Sequence, residues 1–141
     1  MAKYLAFDVG SKTIGIAKSD GFYPSTLKTI RFEENNFYQA CELVEAIIKE
    51  ENPQKIVIGY PKNMDNSIGH RAQMVEDFVS LLIDNKIWTE DKIEWIDERL
   101  TTKMARSILV EANVSRKKQK KAKDNLAAIL ILETFLVKIS K

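Results

Sequence analysis

The segment spanning residues 3–17 restricts the possible folds more than any other part of the chain. Two runs of strand-forming residues, 4–7 and 13–17, flank a short polar stretch that contains Gly10, and this pattern predicts a β-hairpin. The first strand ends in a carboxylate, Asp8. An isolated buried charge is costly, so Asp8 is expected to meet a cation, either a basic side chain or a metal, unless it lies in solvent at the turn.

The hydrophobic pattern of the rest of the chain alternates between the periods of strands and helices. Strands are predicted at residues 4–7, 13–17, 24–32, 55–59 and 92–96. Helices are predicted at about residues 37–51, 71–84, 101–112 and 122–136. The apolar run 55–59 is typical of a strand that is buried on both faces of a parallel sheet. We therefore predict one α/β domain over residues 1–141 with a mixed five-stranded sheet, in which an antiparallel hairpin meander continues into parallel strands and helices cover both faces.

The composition excludes several classes of protein. With 45% apolar and 30% charged residues, the chain is an ordinary globular sequence, neither disordered nor membrane-spanning. No segment approaches the roughly 18 consecutive apolar residues of a membrane helix, and the first residues enter a strand without a signal peptide. The single cysteine, Cys41, leaves no internal disulfide, which fits a reducing compartment. We expect a cytoplasmic protein with no membrane partner.

Positive charge is concentrated in one predicted loop, residues 113–121, and in the start of the helix that follows. The net charge of the whole chain is only +2. The basic residues of this segment are Arg116, Lys117, Lys118, Lys120, Lys121 and Lys123. Such a local cluster indicates contact with a polyanion such as nucleic acid, although a solvated loop without a ligand has the same composition.

Acidic residues stand at the ends of three predicted elements. Asp8 follows one strand, the pair Asp97 and Glu98 follows another, and Asp124 opens the final helix. Two alanines one turn after Asp124 would let this helix pack closely on the sheet and bring the carboxylate near the strand ends. The alternatives are an ion pair of Asp97 or Glu98 with Arg99, and a purely capping role for Asp124.

Convergence of these carboxylates would favour a metal site. Carboxylates that meet without a lysine repel each other, and a hard divalent cation such as Mg²⁺ or Mn²⁺ removes the repulsion. Two such ions about 3.5–4 Å apart can activate a water molecule and stabilise the leaving oxygen in phosphodiester cleavage.

Four sequence blocks, which together span nearly the whole chain, carry a family resemblance. They are FDVGSKTIGIA at residues 7–17, GYP at 59–61 with GHRA at 69–72, DERLTT at 97–102, and DNLAAILIL at 124–132. In this order they resemble the YqgF family of the ribonuclease H-like superfamily, described as Holliday junction resolvases or pre-16S ribosomal RNA nucleases. The resemblance implies a ribonuclease H-like fold and a metal-dependent nuclease activity.

By this resemblance three carboxylates are the catalytic acids and the ligands of two Mg²⁺ or Mn²⁺ ions. They are Asp8, Glu98 and Asp124. The choice of Glu98 over Asp97 comes from the family alone. Two positions depart from the family pattern, with Thr13 in place of the usual Arg and Ile68 in place of a frequent Glu. These departures leave the acidic residues intact and are expected to alter contacts with the substrate.

Substrate contacts are expected from the irregular segment 60–70 and from basic residues elsewhere. The segment follows the carboxyl end of a central strand, where open α/β sheets place their sites, and its polar side chains suit phosphates and base edges. The alternative is a surface loop fixed by its own turns. The predicted substrate-binding residues are Lys12, Asn63, Asp65, Arg71, Arg99, Lys117, Lys118, Lys120 and Lys121. The only histidine, His70, is expected to be exposed and not to act as a base.

The predicted function is metal-dependent hydrolysis of structured nucleic acid, with the 5′ end of precursor 16S ribosomal RNA as the substrate. The alternatives are cleavage of four-way DNA junctions and binding of nucleic acid without cleavage. A Walker phosphate loop is excluded because residues 10–13 lack the contiguous Gly-Lys pair. An actin-like or sugar-kinase ATPase is excluded because 141 residues cannot hold its two domains. A junction resolvase would need a symmetric homodimer, whereas a trimming nuclease can act as a monomer.

Overall fold

The structure, a computed structural model, describes residues 2–20, 23–61, 69–98 and 116–139, and within residues 116–125 it describes the backbone alone. The strands are β1 (Tyr4–Val9), β2 (Thr13–Ser19), β3 (Pro24–Arg31), β4 (Lys55–Tyr60) and β5 (Ile93–Asp97). The helices are α1 (Phe37–Glu51), α2 (His70–Asp84) and α3 (Arg116–Ile139), and a short 3₁₀ turn, Glu90–Lys92, precedes β5. No helix within these ranges is both long and apolar enough to cross a membrane.

The five strands form one mixed sheet in the order β3-β2-β1-β4-β5. The first three strands pair with one another in antiparallel fashion, β1 with β2 and β2 with β3, whereas β4 pairs in parallel with both β1 and β5. The inner position of β4 agrees with its sequence, because residues 56–59 are all buried and a strand covered on both faces has no side for polar residues. The predicted α/β architecture, an antiparallel meander that continues into parallel strands, is confirmed.

Successive side chains of each strand point to opposite faces of the sheet, so the sheet separates two hydrophobic cores. On one face the large residues Leu5, Phe7 and Val9 of β1 pack with residues of α1 and α2. On the other face small residues, including Ala6 and Ala17, pack against α3. The inward residues of α3 are Ala128, Ile131, Leu132 and Phe135. Because small side chains project only a short distance from the sheet, α3 can lie close to the strands. The prediction of helices on both faces is confirmed.

Asparagine residues mark both ends of α1. The side chain of Asn36 accepts a hydrogen bond from the backbone N–H of Gln39, which satisfies one of the free donors of the first turn. At the other end Asn52 adopts the left-handed conformation with φ of 49°, and Pro53 follows it. These two residues stop the helix because neither continues the helical backbone geometry.

The final helix begins at Arg116 rather than near Ala122, so the prediction of a loop at residues 116–121 is wrong. This segment consists of arginine, lysine and glutamine, which are good helix formers, and no Gly or Pro interrupts it. At its other end α3 extends beyond the predicted residue 136 to Ile139, and Val137 and Ile139 are exposed. The rest of the predicted loop and the predicted helix at residues 101–112 lie outside the described residues.

Candidate active site

Two of the three predicted catalytic acids meet at one edge of the sheet. Asp8 lies near the carboxyl end of β1, where it pairs with Gly15 of β2. Glu98 directly follows Asp97, the last residue of β5. The two strands are not neighbours, because β4 lies between them. The side chains of Asp8 and Glu98 nevertheless share a hydrogen bond, so the sheet brings together carboxyl groups that are far apart in the sequence.

The contact between the two acids crosses β4 at Gly59. Neighbouring strands are about 4.8 Å apart, so a side chain that reaches from β5 to β1 must pass over β4. Gly59 pairs with Ile96 of β5 and has no side chain to block this path. A Cβ atom placed on Gly59 would lie 2.7 Å from Oε1 and 2.8 Å from Cγ of Glu98. The glycine therefore leaves free the space that Glu98 occupies.

The same glycine also receives α3. A Cβ atom on Gly59 would lie 2.5 Å from Cδ1 of Ile131, which is fully buried. One turn further along α3, the ring of Phe135 packs edge-on against that of Tyr4, with the centroids 5.0 Å apart. Tyr4 begins β1 and Gly59 lies near the end of β4, so α3 runs antiparallel to these two strands. The N-terminal half of α3 therefore points to the edge of the sheet that carries the two acids.

Glu98 lies in a poorly hydrated position, with 6% of its surface exposed. This burial raises the pKa of its carboxyl group to about 9, and the hydrogen bond with Asp8 and the charge of Asp8 act in the same direction. The guanidinium of Arg71 opposes the rise in pKa, whereas the charge of Asp97 adds to it. Burial and the contact with Asp8 therefore favour the protonated form of Glu98 when no cation is bound.

Arg71, in the first turn of α2, places a positive charge beside the acidic pair. Its Nη2 atom lies 3.9 Å from Oε2 of Glu98, at the long end of the range for an ion pair. The side chain of Arg71 is 60% exposed, so the guanidinium extends from the buried carboxyl group towards solvent. A guanidinium in this position can contact the acids on one side and an incoming phosphate on the other.

The third predicted acid, Asp124, is described by its backbone alone. It lies on α3 seven residues before Ile131, which corresponds to about 10 Å along the helix axis towards the edge that carries the acidic pair. Among the side chains that the structure describes, no group of three or more His, Cys, Asp or Glu residues has a metal-binding arrangement. The described part of the site therefore consists of the pair Asp8 and Glu98, with Arg71 at its entrance.

The other predicted residues fall into three groups. Lys12 is exposed at the turn between β1 and β2, and His70 is exposed at the start of α2, as predicted for the histidine. Asn63, Asp65, Ile68 and Arg99 lie outside the described residues. Lys117, Lys118, Lys120 and Lys121 lie in the first turns of α3, where the structure describes the backbone only.

Two residues of the site had no predicted role in holding the acids. They are Gly59, which leaves room for Glu98, and Ile131, which fills the space above the same glycine. A glycine near the end of an apolar strand is a general signal for a close approach of another element. The sequence pattern does not reveal which element approaches, because that depends on how helices pack across the sheet.

The comparison with protein families covers almost the whole chain. The RuvX family model, described as Holliday junction resolvase, matches residues 2–138. The chain belongs to the RuvX family. The resemblance to the YqgF family, which rested on four sequence blocks, is thereby confirmed, and all three predicted acids lie inside the matched region.

Relatives match the RuvX chain over nearly its full length. A protein of Mycoplasma capricolum subsp. capricolum named "Putative pre-16S rRNA nuclease" is 54% identical over 133 residues, which cover 94% of this chain and 93% of the relative. A protein of Mesoplasma florum with the same name is 50% identical over 142 residues, which cover 100% of both chains.

Solved structures of junction resolvases share the fold of this RuvX chain. The structure of T. thermophilus RuvC in complex with Holliday junction substrate has a TM-score of 0.62 at 11% identity and covers 100% of this chain and 98% of that chain. The yeast mitochondrial Holliday junction resolvase Ydc2 has a TM-score of 0.51 at 13% identity, and the match covers 94% of this chain and 77% of that chain. At such identities the likeness concerns the fold alone, and it confirms the predicted ribonuclease H-like architecture.

Proposed function

We propose that this RuvX chain is a metal-dependent nuclease that cleaves phosphodiester bonds in structured nucleic acid, with the 5′ end of precursor 16S ribosomal RNA as its substrate. The observation that carries the proposal is the hydrogen-bonded pair of Asp8 and Glu98 at the carboxyl edge of the sheet. A buried carboxyl group, that of Glu98, in contact with a second, half-buried one, that of Asp8, is costly, and such pairs concentrate at functional sites. Family membership and the names of the relatives support the same activity.

The donor atoms of this pair fit a hard divalent cation, because Mg²⁺ and Mn²⁺ favour carboxylate oxygens. We propose that Asp8 and Glu98, together with Asp124 of α3, hold two such ions. When bound, ions of this kind activate a water molecule and stabilise the leaving oxygen of a phosphodiester. Glu98 must be ionised to serve as a ligand, and Gly59 leaves the space that its carboxyl group occupies beside Asp8.

Positive charge around this edge supports a polyanionic substrate. Arg71 lies beside Glu98 and is largely exposed, so it can hold a phosphate next to the acids. Lys12 is exposed in the turn that follows the carboxyl end of β1. The basic segment 116–121 forms the start of α3, the end of the helix that points to the same edge. We propose that these groups hold the backbone of the nucleic acid while the acids act on one phosphodiester.

A four-way DNA junction is the second candidate substrate, and the description of the RuvX family favours it. The same acids would cleave either substrate, since both contain phosphodiester bonds and phosphate contacts carry no sequence information. The two candidates differ in what they require of the whole protein. Resolution of a junction needs two active sites in a symmetric homodimer, whereas trimming of RNA, which would take place in the cytoplasm, needs only a monomer.

The test compares cleavage of precursor 16S RNA and of a four-way junction by the wild type, Asp8→Asn and Glu98→Gln, in Mg²⁺ and in Mn²⁺. Each substitution removes a metal ligand, so we expect the cleavage rate to fall by more than about 100-fold. Chelation of the metal is expected to abolish cleavage by the wild type. The matched controls are Asp84→Asn and Glu42→Gln, which make the same chemical changes at exposed positions of α2 and α1.

The outcomes separate the candidates. Cleavage of the RNA by a monomeric protein supports the proposed substrate, and preferential cleavage of the junction by a homodimer supports the second candidate. Equal cleavage by wild type, Asp8→Asn and Glu98→Gln would show that the acidic pair is not the catalytic centre. Binding of both substrates without cleavage in either metal would contradict the assignment of a nuclease.

A further inference from the structure

A groove lies between α2 and β5, on the face of the sheet opposite to the acidic pair, and has a volume of about 370 Å³. Its apolar wall consists of Val79, Ile83, Ile93 and Trp95. Its acidic rim consists of Glu76, Asp77 and Glu90. An apolar wall with a charged rim is the usual form of a surface that binds part of another molecule.

The charges of the rim are not neutralised by neighbouring side chains in the described part of the chain. Glu76 accepts a hydrogen bond from the hydroxyl of Tyr60 at 3.0 Å, and Asp77 accepts one from Nε2 of Gln73 at 3.0 Å. Both donors are neutral, and no described lysine or arginine forms an ion pair with these two acids or with Glu90. Phosphates of nucleic acid would be repelled here, whereas a basic ligand would be attracted.

Ile93 and Trp95, which line the groove, belong to β5. In the described residues β5 ends the sheet, so the backbone on its outer side has no strand partner. Trp95, in the middle of β5, is 42% exposed. Its ring packs edge-on against that of Tyr60, with the centroids 5.5 Å apart. An edge strand with an exposed aromatic side chain is suited to receive an added strand.

We infer that this groove binds an extended, lysine- and arginine-rich segment of a partner protein, which lies along β5 as an additional strand. Alternate side chains of such a segment point to the same face, so its basic residues reach the acidic rim together. One of them can stack on the indole of Trp95 through a cation–π contact. The groove opens on the face away from Asp8 and Glu98, so its occupation leaves the acidic pair accessible, and the inference does not depend on the proposed nuclease activity.

The test uses the full-length, isotope-labelled chain and a seven-residue peptide of alternating lysine and valine. We expect this peptide to shift the indole NMR signal of Trp95 and to slow hydrogen exchange of β5 amides. A peptide of alternating glutamate and valine should do neither. The triple variant Glu76→Gln, Asp77→Asn, Glu90→Gln is expected to lower the affinity for the lysine peptide about tenfold, because it removes three exposed ion pairs with the peptide.

A second triple variant controls for the general effect of removing negative charge. Glu33→Gln, Glu42→Gln and Glu50→Gln remove the same charge at exposed positions in and just before α1, and the affinity should stay unchanged. Absence of binding, or an equal loss of affinity in both triple variants, would overturn the inference. Displacement of the peptide by single-stranded RNA would overturn it as well. Protection of β5 amides that grows with protein concentration in the absence of peptide would assign the groove to a second copy of the chain and so reject a basic partner.

Discussion

Gly59 is the residue on which the geometry of the acidic pair depends most directly. It lies beneath both Glu98 and Ile131, and its missing side chain is what lets the two groups approach β4. A larger residue at this position would meet the carboxyl group from one side and the helix from the other. The consequences for catalysis and for stability can be separated, because the two contacts involve different elements.

Gly59→Ala is expected to lower the free energy of unfolding by about 1–3 kcal/mol and to lower the cleavage rate, because its Cβ overlaps both neighbours. Ile131→Val removes the Cδ1 atom that the added Cβ at position 59 would overlap. In the double variant we expect stability close to that of Ile131→Val alone, with cleavage still impaired, since Glu98 remains displaced. Urea unfolding and cleavage assays check this. Recovery of activity together with stability would show that Gly59 serves packing only.

Cys41 provides a test of burial in α1 that is independent of the active site. Burial raises the pKa of this thiol from its ordinary value of 9.0 to about 11, and the charge of Glu45 acts in the same direction. Thiol reagents attack the thiolate, so labelling of the native chain at pH 8 should be slow, and fast in denaturant. Cys41 is the only cysteine, so the labelling has one site.

The same shift predicts a pH dependence of stability. Because the folded pKa of Cys41 exceeds the unfolded value, burial of the neutral thiol contributes stability that is fully present below pH 9.0. This contribution is lost as the pH rises through about 11. Unfolding curves of the wild type and of Cys41→Ala between pH 8 and 11 measure it. A native labelling rate at pH 8 equal to that of the unfolded chain would contradict the burial.

At the scale of elements, local patterns were sufficient to predict where most strands and helices lie. The apolar run of β4 and the two asparagines that end α1 are signals contained in a few adjacent residues. The start of α3 was missed because the density of lysines in the segment suggested a loop, although lysine and glutamine favour helices. The residues pointed to acids at the strand ends, but the choice of Glu98 over Asp97 came from the family resemblance. The contact of α3 with Gly59 could not be predicted, because it depends on which faces meet across the sheet.

Replacement of the lysines at the start of α3 by glutamine removes charge while retaining good helix formers. The variant carries Lys117→Gln, Lys118→Gln, Lys120→Gln and Lys121→Gln. We expect unchanged thermal stability, weaker binding of RNA, and a smaller salt dependence, by about 0.7 in the slope of log K against log salt for each lost phosphate contact. Binding measured at several salt concentrations checks the expectation.

The control for this variant removes four lysines elsewhere. Lys28, Lys49, Lys92 and Lys138 are exposed, and they are distributed over four separate parts of the fold. Their replacement by glutamine changes the net charge by the same amount. An equal loss of affinity in both variants would show that the start of α3 has no special role and that only the overall charge matters.

At the scale of the whole molecule, the sheet separates two hydrophobic cores with different tasks. The larger core joins α1 and α2 to one face, and the smaller core fixes α3 to the face that carries Asp8 and Glu98. Damage to the larger core should therefore affect stability without direct effect on the acids. That the 141 residues form one domain stays a prediction.

Leu82→Ala and Ile131→Ala make similar cavities in the two cores, since both side chains are almost fully buried. Each is expected to lower the free energy of unfolding by about 2–5 kcal/mol. At a temperature at which circular dichroism shows both variants to be folded, we expect Leu82→Ala to cleave at the wild-type rate and Ile131→Ala to be slower. Equal rates in the two variants would contradict the assignment of α3 to the site.

The acidic pair joins a residue at position 8 to one at position 98, and the helix that covers Gly59 comes later still. During synthesis Asp8 leaves the ribosome early, but its partner and that helix are still being translated. A nascent or prematurely terminated polypeptide therefore has the first acid without the second. The topology of the sheet thus delays formation of the acidic pair, and its cover by α3, until most of the polypeptide has been made.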